Sequence, residues 1–131
     1  MTFKELYDNV ESRHEQFAPN SLVTAGTNMA AIESSTGVIN YGASIDAKNA
    51  LGIGAEQAAI ASMVTCGEYE IARIIVVDAN GNVIAPNGAS RELMLSLSKE
   101  NANTEVVIDV DNQKMVRLNR LLQLWADEKN I

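Results

Sequence analysis

The sequence predicts an α/β protein, a three-layer αβα sandwich with a mixed five-stranded sheet. Three observations predict it. Apolar residues recur at helical spacing near both ends of the chain, an uninterrupted β-branched run lies in the middle, and helix and strand patterns alternate around that run. The chain has 131 residues, 47% of them apolar, which suffices for one domain with its own core. We therefore treat residues 1–131 as a single domain.

The first predicted elements are a helix, a hairpin and a second helix. The first helix covers residues 2 to about 16, with Thr2 as its N-cap and Glu5 three residues on, which is the capping-box arrangement. Pro19 follows it and breaks the helix. Gly67 ends the second helix, which is rich in alanine and predicted to be buried. The hairpin strands and the second helix are predicted at Thr27–Glu33, Val38–Ala43 and Ala55–Val64.

The strongest strand pattern is Ile71–Asp78, whose β-branched run is typical of a central strand covered on both faces. Val83–Ala85 is either a short return strand or a loop. From Ile71 to Val110 the strand–helix–strand order predicts a right-handed parallel crossover. The helix of that crossover has Leu93, Met94 and Leu97 on its apolar face. The remaining predictions are a helix at Ala89–Ser98, strands at Glu105–Val110 and Lys114–Leu118, and a helix at Asn119–Lys129.

The charge balance narrows the class of partner. There are 10 Lys and Arg residues against 17 Asp and Glu, a formal net charge of −7. Nucleic-acid binding depends on basic residues that neutralise phosphates, so this balance argues against it. No apolar run approaches the ~18 residues that a membrane span needs, and no secretory apolar segment follows Met1. We expect a cytoplasmic protein without membrane contact.

The chain has few soft metal ligands. It contains one cysteine, Cys66, and one histidine, His14, and these are too few for an ordinary zinc site or an intrachain disulfide. We expect His14 to be a solvated helix residue and Cys66 to be a small, semi-buried one.

Two polar segments that open helices resemble motifs of a known family. They are Gly54-Ala55-Glu56-Gln57-Ala58 and Pro86-Asn87-Gly88-Ala89-Ser90-Arg91-Glu92. In the cytidine deaminase family, a His or Cys stands two residues before a Glu, and a second motif reads Pro-Cys-x-x-Cys with an Arg after it. The Ser90–Leu93 segment is similar to that of blasticidin-S deaminases. The resemblance extends to Ala18–Ser21, Gly42–Ala47 and Leu121–Trp125. It implies the three-layer fold of that family.

The resemblance also implies roles for particular positions. The three zinc-ligand positions fall on Gly54, Asn87 and Ser90, and the proton-shuttle position falls on Glu56. None of the three ligand positions carries a thiolate or an imidazole, the groups that hold zinc best. The substrate-binding positions are Ser44, Asp46, Ala55 and Arg91. We therefore expect no zinc and no other cofactor, and expect the zinc-dependent reaction to be lost.

Three functions stay open. The preferred hypothesis is a catalytically silent protein whose remnant pocket binds a nucleoside-like molecule or a small anion, held by Arg91 and two helix N-termini. The alternatives are an active deaminase with unusual metal ligation and a structural partner in mixed oligomers. Glu56, Asn87 and Ser90 also suit ordinary roles at helix starts. The resemblance further implies a homo-oligomer, a tetramer or dimer, with the apolar residues of Leu121–Trp125 partly between subunits.

Overall fold

The structure, a computed structural model, describes residues 2–14, 23–47 and 52–121. Helices α1, α2 and α3 are Phe3–His14, Ala55–Thr65 and Gly88–Leu97. Strands β1 to β6 are Val23–Ser34, Ile39–Ala47, Ile71–Val77, Val83–Ile84, Glu105–Asp109 and Lys114–Arg117. A 3₁₀ helix, Lys99–Asn103, precedes β5, and residues 118–121 are helical. The 3₁₀ helix is not predicted from the sequence.

The strands form one mixed sheet in the order β2-β1-β3-β5-β6. Strands β3 and β5 are parallel and flank α3 in sequence, as the predicted crossover requires, while the other pairs are antiparallel. The five strands of this order match the prediction. The predicted number of strands is too low by one, however, because the two-residue strand β4 also pairs with β3. Val76 pairs with Ile84, and Val77 pairs with Val83. Within the described residues the sheet thus has six strands, and the Val83–Ala85 segment contains the short strand Val83–Ile84 rather than being only a loop.

The side chains of alternate strand residues divide the core between the two sheet faces. On the face that α1 covers, the buried cluster is Leu6, Val10, Met29, Ala31, Ile75, Val77 and Val107. On the face that α2 and α3 cover, it includes Ala30, Ile32, Ala59, Ile60, Met63, Ile74, Val76, Met94 and Val106. Because β3 contributes to both clusters, the predicted central strand and the three layers are confirmed.

The predicted helix cap of α1 is confirmed, whereas two predictions of side-chain burial are not. Thr2 and Glu5 form the predicted capping box, with Glu5 N–H donating to Thr2 Oγ1 at 3.1 Å and Thr2 N–H donating to Glu5 Oε2 at 3.2 Å. Two side chains are more exposed than predicted. Leu93 lies at the edge of the apolar face of α3 with 37% of its surface exposed. Cys66 is exposed because it lies in the turn that follows α2.

Several predictions fall outside the described residues. These are the break at Pro19, the Ala18–Ser21 segment and the C-terminal helix beyond residue 121. Within the described ranges, no helix is long and apolar enough to cross a membrane.

Gly42 sets the position of α2 against the sheet. A Cβ atom at this residue would lie 2.2 Å from the carbonyl oxygen of Ala55 and 2.3 Å from the backbone nitrogen of Ala59. Neither backbone atom can move without displacing the helix, so only glycine fits this contact. The close approach places the first turn of α2 directly over β2.

Candidate functional site

The first turns of α2 and α3 meet through a buried polar contact. Glu56, in the first turn of α2, is only 3% exposed, and Ser90, in the first turn of α3, is fully buried. The Ser90 hydroxyl donates to Glu56 Oε2 at 2.9 Å. A carboxylate that leaves water needs hydrogen-bond donors or positive charge nearby, and here the hydroxyl supplies the shortest contact.

Asn87 completes this contact as the N-cap of α3. Its Oδ1 accepts from the backbone N–H of Ser90 at 2.8 Å, which satisfies one of the free donors at the helix start. Its own backbone N–H donates to Glu56 Oε2 at 3.4 Å. The Glu56 carboxylate therefore faces the N-terminus of α3 while standing at the N-terminus of α2, and both helix ends favour a negative charge.

Gly54 lies beside this group as the N-cap of α2. Its backbone is extended, with φ −73° and ψ 153°, a conformation open to any residue. Its N–H donates to Gln57 Oε1 at 3.1 Å. A Cβ atom at Gly54 would lie 3.9 Å from Asn87 Nδ2. The structure thus brings positions 54 and 56 together with positions 87 and 90, in two segments that are far apart in sequence.

The residues at these positions do not fit a zinc ion. Gly54 offers no side chain, and the neutral amide oxygen of Asn87 and hydroxyl oxygen of Ser90 are poor zinc ligands compared with thiolate, imidazole or carboxylate. Among the residues that the structure describes, no three His, Cys, Asp or Glu side chains lie close enough to share a metal. Cys66 follows the opposite end of α2, and His14 ends α1 on the other sheet face.

The predicted substrate-binding residues of β2 have different surroundings. Ser44 is buried, and its hydroxyl accepts from the backbone N–H of Asn28 at 2.9 Å. This bond closes a bulge in which three residues of β1, from Gly26 to Asn28, oppose Ser44 alone. Gly26 adopts φ +74°, which a bulge of this kind favours in glycine. Asp46 is exposed two residues further along β2.

The other two predicted positions lie on the helices. Ala55 is buried and packs in the core cluster between the sheet, α2 and α3, so its side chain has a packing role. Arg91 is half-buried in α3, next to Ser90.

Sequence reasoning missed two residues that help to place the site. Asn28 fixes Ser44, and Ile53 pairs with Ile45 through backbone hydrogen bonds of 2.9 Å in both directions. This bridge ties the segment before Gly54 to the end of β2. The backbone pairing has no sequence signal, whereas Gly26 is a signal for the bulge.

Comparison with solved structures assigns the fold. The chain resembles the cytidine deaminase of Mycobacterium tuberculosis, with 22% identity, a TM-score of 0.74, and 93% of this chain and 94% of that one covered. It also resembles the cytidine deaminase of Burkholderia pseudomallei, with 26% identity, a TM-score of 0.71, and coverage of 92% and 96%. For the Bacillus anthracis cytidine deaminase the values are 22%, 0.69, 95% and 93%.

These similarities define the fold of this protein. No protein-family model matches the chain, and no curated protein is similar enough to match. The structural likeness nevertheless covers nearly the whole of each chain. The chain therefore has the cytidine deaminase fold, and the resemblance to the cytidine deaminase family that its sequence motifs predict is confirmed.

Proposed function

We propose that this chain is a cytidine deaminase-fold protein that lacks the zinc-dependent reaction and binds a nucleoside-like molecule in the remnant of that site. One observation carries the proposal. The Ser90 hydroxyl donates to Glu56 at 2.9 Å at a position where the resemblance implies a zinc ligand. A neutral hydroxyl oxygen is a poor zinc ligand compared with a thiolate or an imidazole.

The chemistry of deamination supports the loss of activity. Hydrolytic removal of an amino group from a pyrimidine ring needs a hydroxide, and zinc provides it by lowering the pKa of bound water to about 7. Glu56 alone can orient water and accept a proton from it. It cannot make hydroxide abundant at neutral pH, so the retained Glu56 does not by itself sustain the reaction.

The surroundings of Glu56 also favour one kind of ligand. The two helix starts attract negative charge, but the Glu56 carboxylate already supplies it and accepts from the N-terminus of α3. A small anion would bring a second negative charge to the same place. A neutral nucleoside-like molecule, which carries N–H and O–H donors, meets no such repulsion.

The first test concerns metal and catalysis. Purified protein should contain far less than one zinc per chain by elemental analysis and should not convert cytidine to uridine, even with added zinc. One zinc per chain, or turnover that depends on Glu56, would overturn the proposal in favour of an active deaminase with unusual metal ligation. Glu56→Gln is the variant that separates turnover by this site from that of a contaminating enzyme.

The second test concerns binding. A ligand that binds the native state raises the unfolding temperature by mass action. Cytidine or uridine should raise it in the wild-type chain, and inorganic phosphate should not. The rise should shrink in Glu56→Gln and persist in Glu92→Gln, a control at an exposed glutamate of α3. No shift with any nucleoside would leave the structural-partner function as the better description.

The assembly and location stay predictions. We propose a homo-oligomer, a tetramer or dimer, because the resemblance implies subunit association. We also propose the cytoplasmic location that the sequence predicts. Light scattering coupled to size exclusion measures the assembly directly. A monomer at all concentrations would contradict it without bearing on the ligand.

A further inference from the structure

We propose that Glu56, Asn87 and Ser90 form a hydrogen-bonded clamp that joins the starts of α2 and α3. Asn87 and Ser90 stand at two of the positions where the resemblance implies metal ligands, and Glu56 stands at the proton-shuttle position. The metal does not fit these residues, and the clamp replaces its linking role. This inference rests on the hydrogen bonds of the chain itself and does not depend on ligand binding.

The clamp is closed by three contacts. The Ser90 hydroxyl and the Asn87 N–H both donate to Glu56 Oε2, at 2.9 and 3.4 Å, and Asn87 Oδ1 accepts from Ser90 N–H at 2.8 Å. Two of these bonds connect α2 to the start of α3, and the third fixes the start of α3 itself. A metal bound by ligands from both helix starts would make the same connection through coordination.

Burial makes the clamp matter for stability. Glu56 and Ser90 are 3% and 0% exposed, so water cannot readily replace a lost partner. Removing the Ser90 hydroxyl weakens the solvation of a buried carboxylate, and removing Glu56 leaves a buried hydroxyl without its acceptor. Removing both leaves neither problem. The two side chains should therefore be strongly coupled energetically.

A double-mutant cycle of the full chain tests this. The variants are Glu56→Ala, Ser90→Ala and the double, each unfolded by urea at neutral pH without added metal. Each single variant should raise the unfolding equilibrium constant about 10- to 100-fold. The double variant should raise it at least about fivefold less than the product of the two single effects.

A matched pair in the same helix provides the control. Glu92 and Ser96 are both exposed, and the Ser96 hydroxyl donates to the backbone oxygen of Glu92, not to its carboxylate. The cycle of Glu92→Ala with Ser96→Ala should be multiplicative, without coupling. Should Glu56→Ala not fold, Glu56→Gln takes its place, since Gln retains an acceptor oxygen but loses the charge.

The outcomes are distinct. Coupling between positions 56 and 90 that is absent between 92 and 96 supports the clamp. Multiplicative effects at 56 and 90 overturn it. So would a Glu56→Ala variant more stable than wild type, because a carboxylate kept only for a ligand commonly costs stability. A chain that binds no nucleoside but shows the coupling would contradict the proposed function and leave the clamp standing.

Discussion

The two faces of the sheet hold their carboxylates by different means. On the α1 face, Arg73 in β3 lies between Glu33 in β1 and Glu105 in β5, with contacts of 3.2 and 2.9 Å. Arg117 in β6 lies 3.7 Å from Glu105 and ends the row. These residues are directly paired across four strands. On the other face, Glu56 is held by a hydroxyl, a backbone N–H and two helix ends.

The difference follows from burial and charge. The Glu33, Arg73 and Glu105 side chains are 18 to 25% exposed, so full opposite charges meet where water still reaches them. Glu56 is more deeply buried, yet its nearest donors are neutral. Opposite charges on neighbouring strands stabilise the sheet directly, without a bound group. A buried acid held by neutral donors is the kind of group that a binding or catalytic site retains.

The largest expected effect is on the face of the sheet that α2 covers, where Gly42 contacts the helix backbone. Gly42→Ala should destabilise the chain by about 3 kcal/mol or more, because its Cβ would meet two backbone atoms of α2 at 2.2 and 2.3 Å. Urea unfolding measures it. Gly88→Ala is the control, since a Cβ there would meet only Arg91 Nη2, at 3.9 Å. Equal effects of the two substitutions would show that α2 is free to shift.

The next prediction concerns the row of charged side chains on the α1 face, which is formed by Glu33, Arg73, Glu105 and Arg117. Arg73→Met should cost about 2 kcal/mol, because it leaves Glu33 and Glu105 without the cation between them. The loss should shrink at high salt, which screens the repulsion between the two carboxylates. Lys4→Met is the control, because the Lys4–Asp8 pair is 73% and 57% exposed, and surface pairs of this kind contribute little. A salt-independent loss at Arg73 would contradict the electrostatic explanation.

A third prediction compares two helix caps. Asp ranks close to both Asn and Thr as an N-cap, so Thr2→Asp at the exposed start of α1 should change stability by less than about 0.5 kcal/mol. Asn87→Asp should cost about 1 kcal/mol more, because it places a second carboxylate beside Glu56. Thermal unfolding of both variants measures the difference. If Glu56→Gln in the same chain does not relieve the cost of Asn87→Asp, the repulsion is not its cause.

The smallest expected effect concerns a carboxylate on the surface. In the turn after β5, hydrogen bonds from the Asn112 side chain at 2.8 Å and backbone at 3.2 Å hold the pKa of Asp109 below its ordinary value. A lowered pKa in the folded state stabilises the fold above the ordinary pKa of about 4, and this contribution is lost as pH falls through the lowered pKa.

Asn112→Ala should therefore raise the Asp109 pKa and reduce stability slightly above pH 4, with the difference disappearing at lower pH. An NMR titration of the Asp109 side chain measures it. Asn80→Ala is the control, because the backbone N–H of Asn80 donates to Asp78 and this donor remains in the variant. It should leave the Asp109 pKa unchanged. An unchanged Asp109 pKa in Asn112→Ala would show that neutral side-chain donors matter little to an exposed carboxylate in this protein.

Much of the fold follows from local sequence. The uninterrupted β-branched run within Ile71–Asp78 and the capping box at Thr2 each predict an observed element, because propensity and capping act over a few residues. The boundaries are less predictable. β1 and β2 extend beyond their predicted ends, and the pairing of β4 with β3 depends on backbone partners that no local pattern specifies.

The sequence by itself determined which residues stand at the helix starts: Gly54, Glu56, Asn87 and Ser90 with no thiolate or imidazole among them. Only the tertiary structure decided what they do there. It directs the Ser90 hydroxyl to Glu56 and engages Ser44 with Asn28, because these contacts join residues 34 and 16 positions apart in the chain. Side-chain identity is local information, whereas the partner of a buried polar group is chosen by the packing of helices on the sheet.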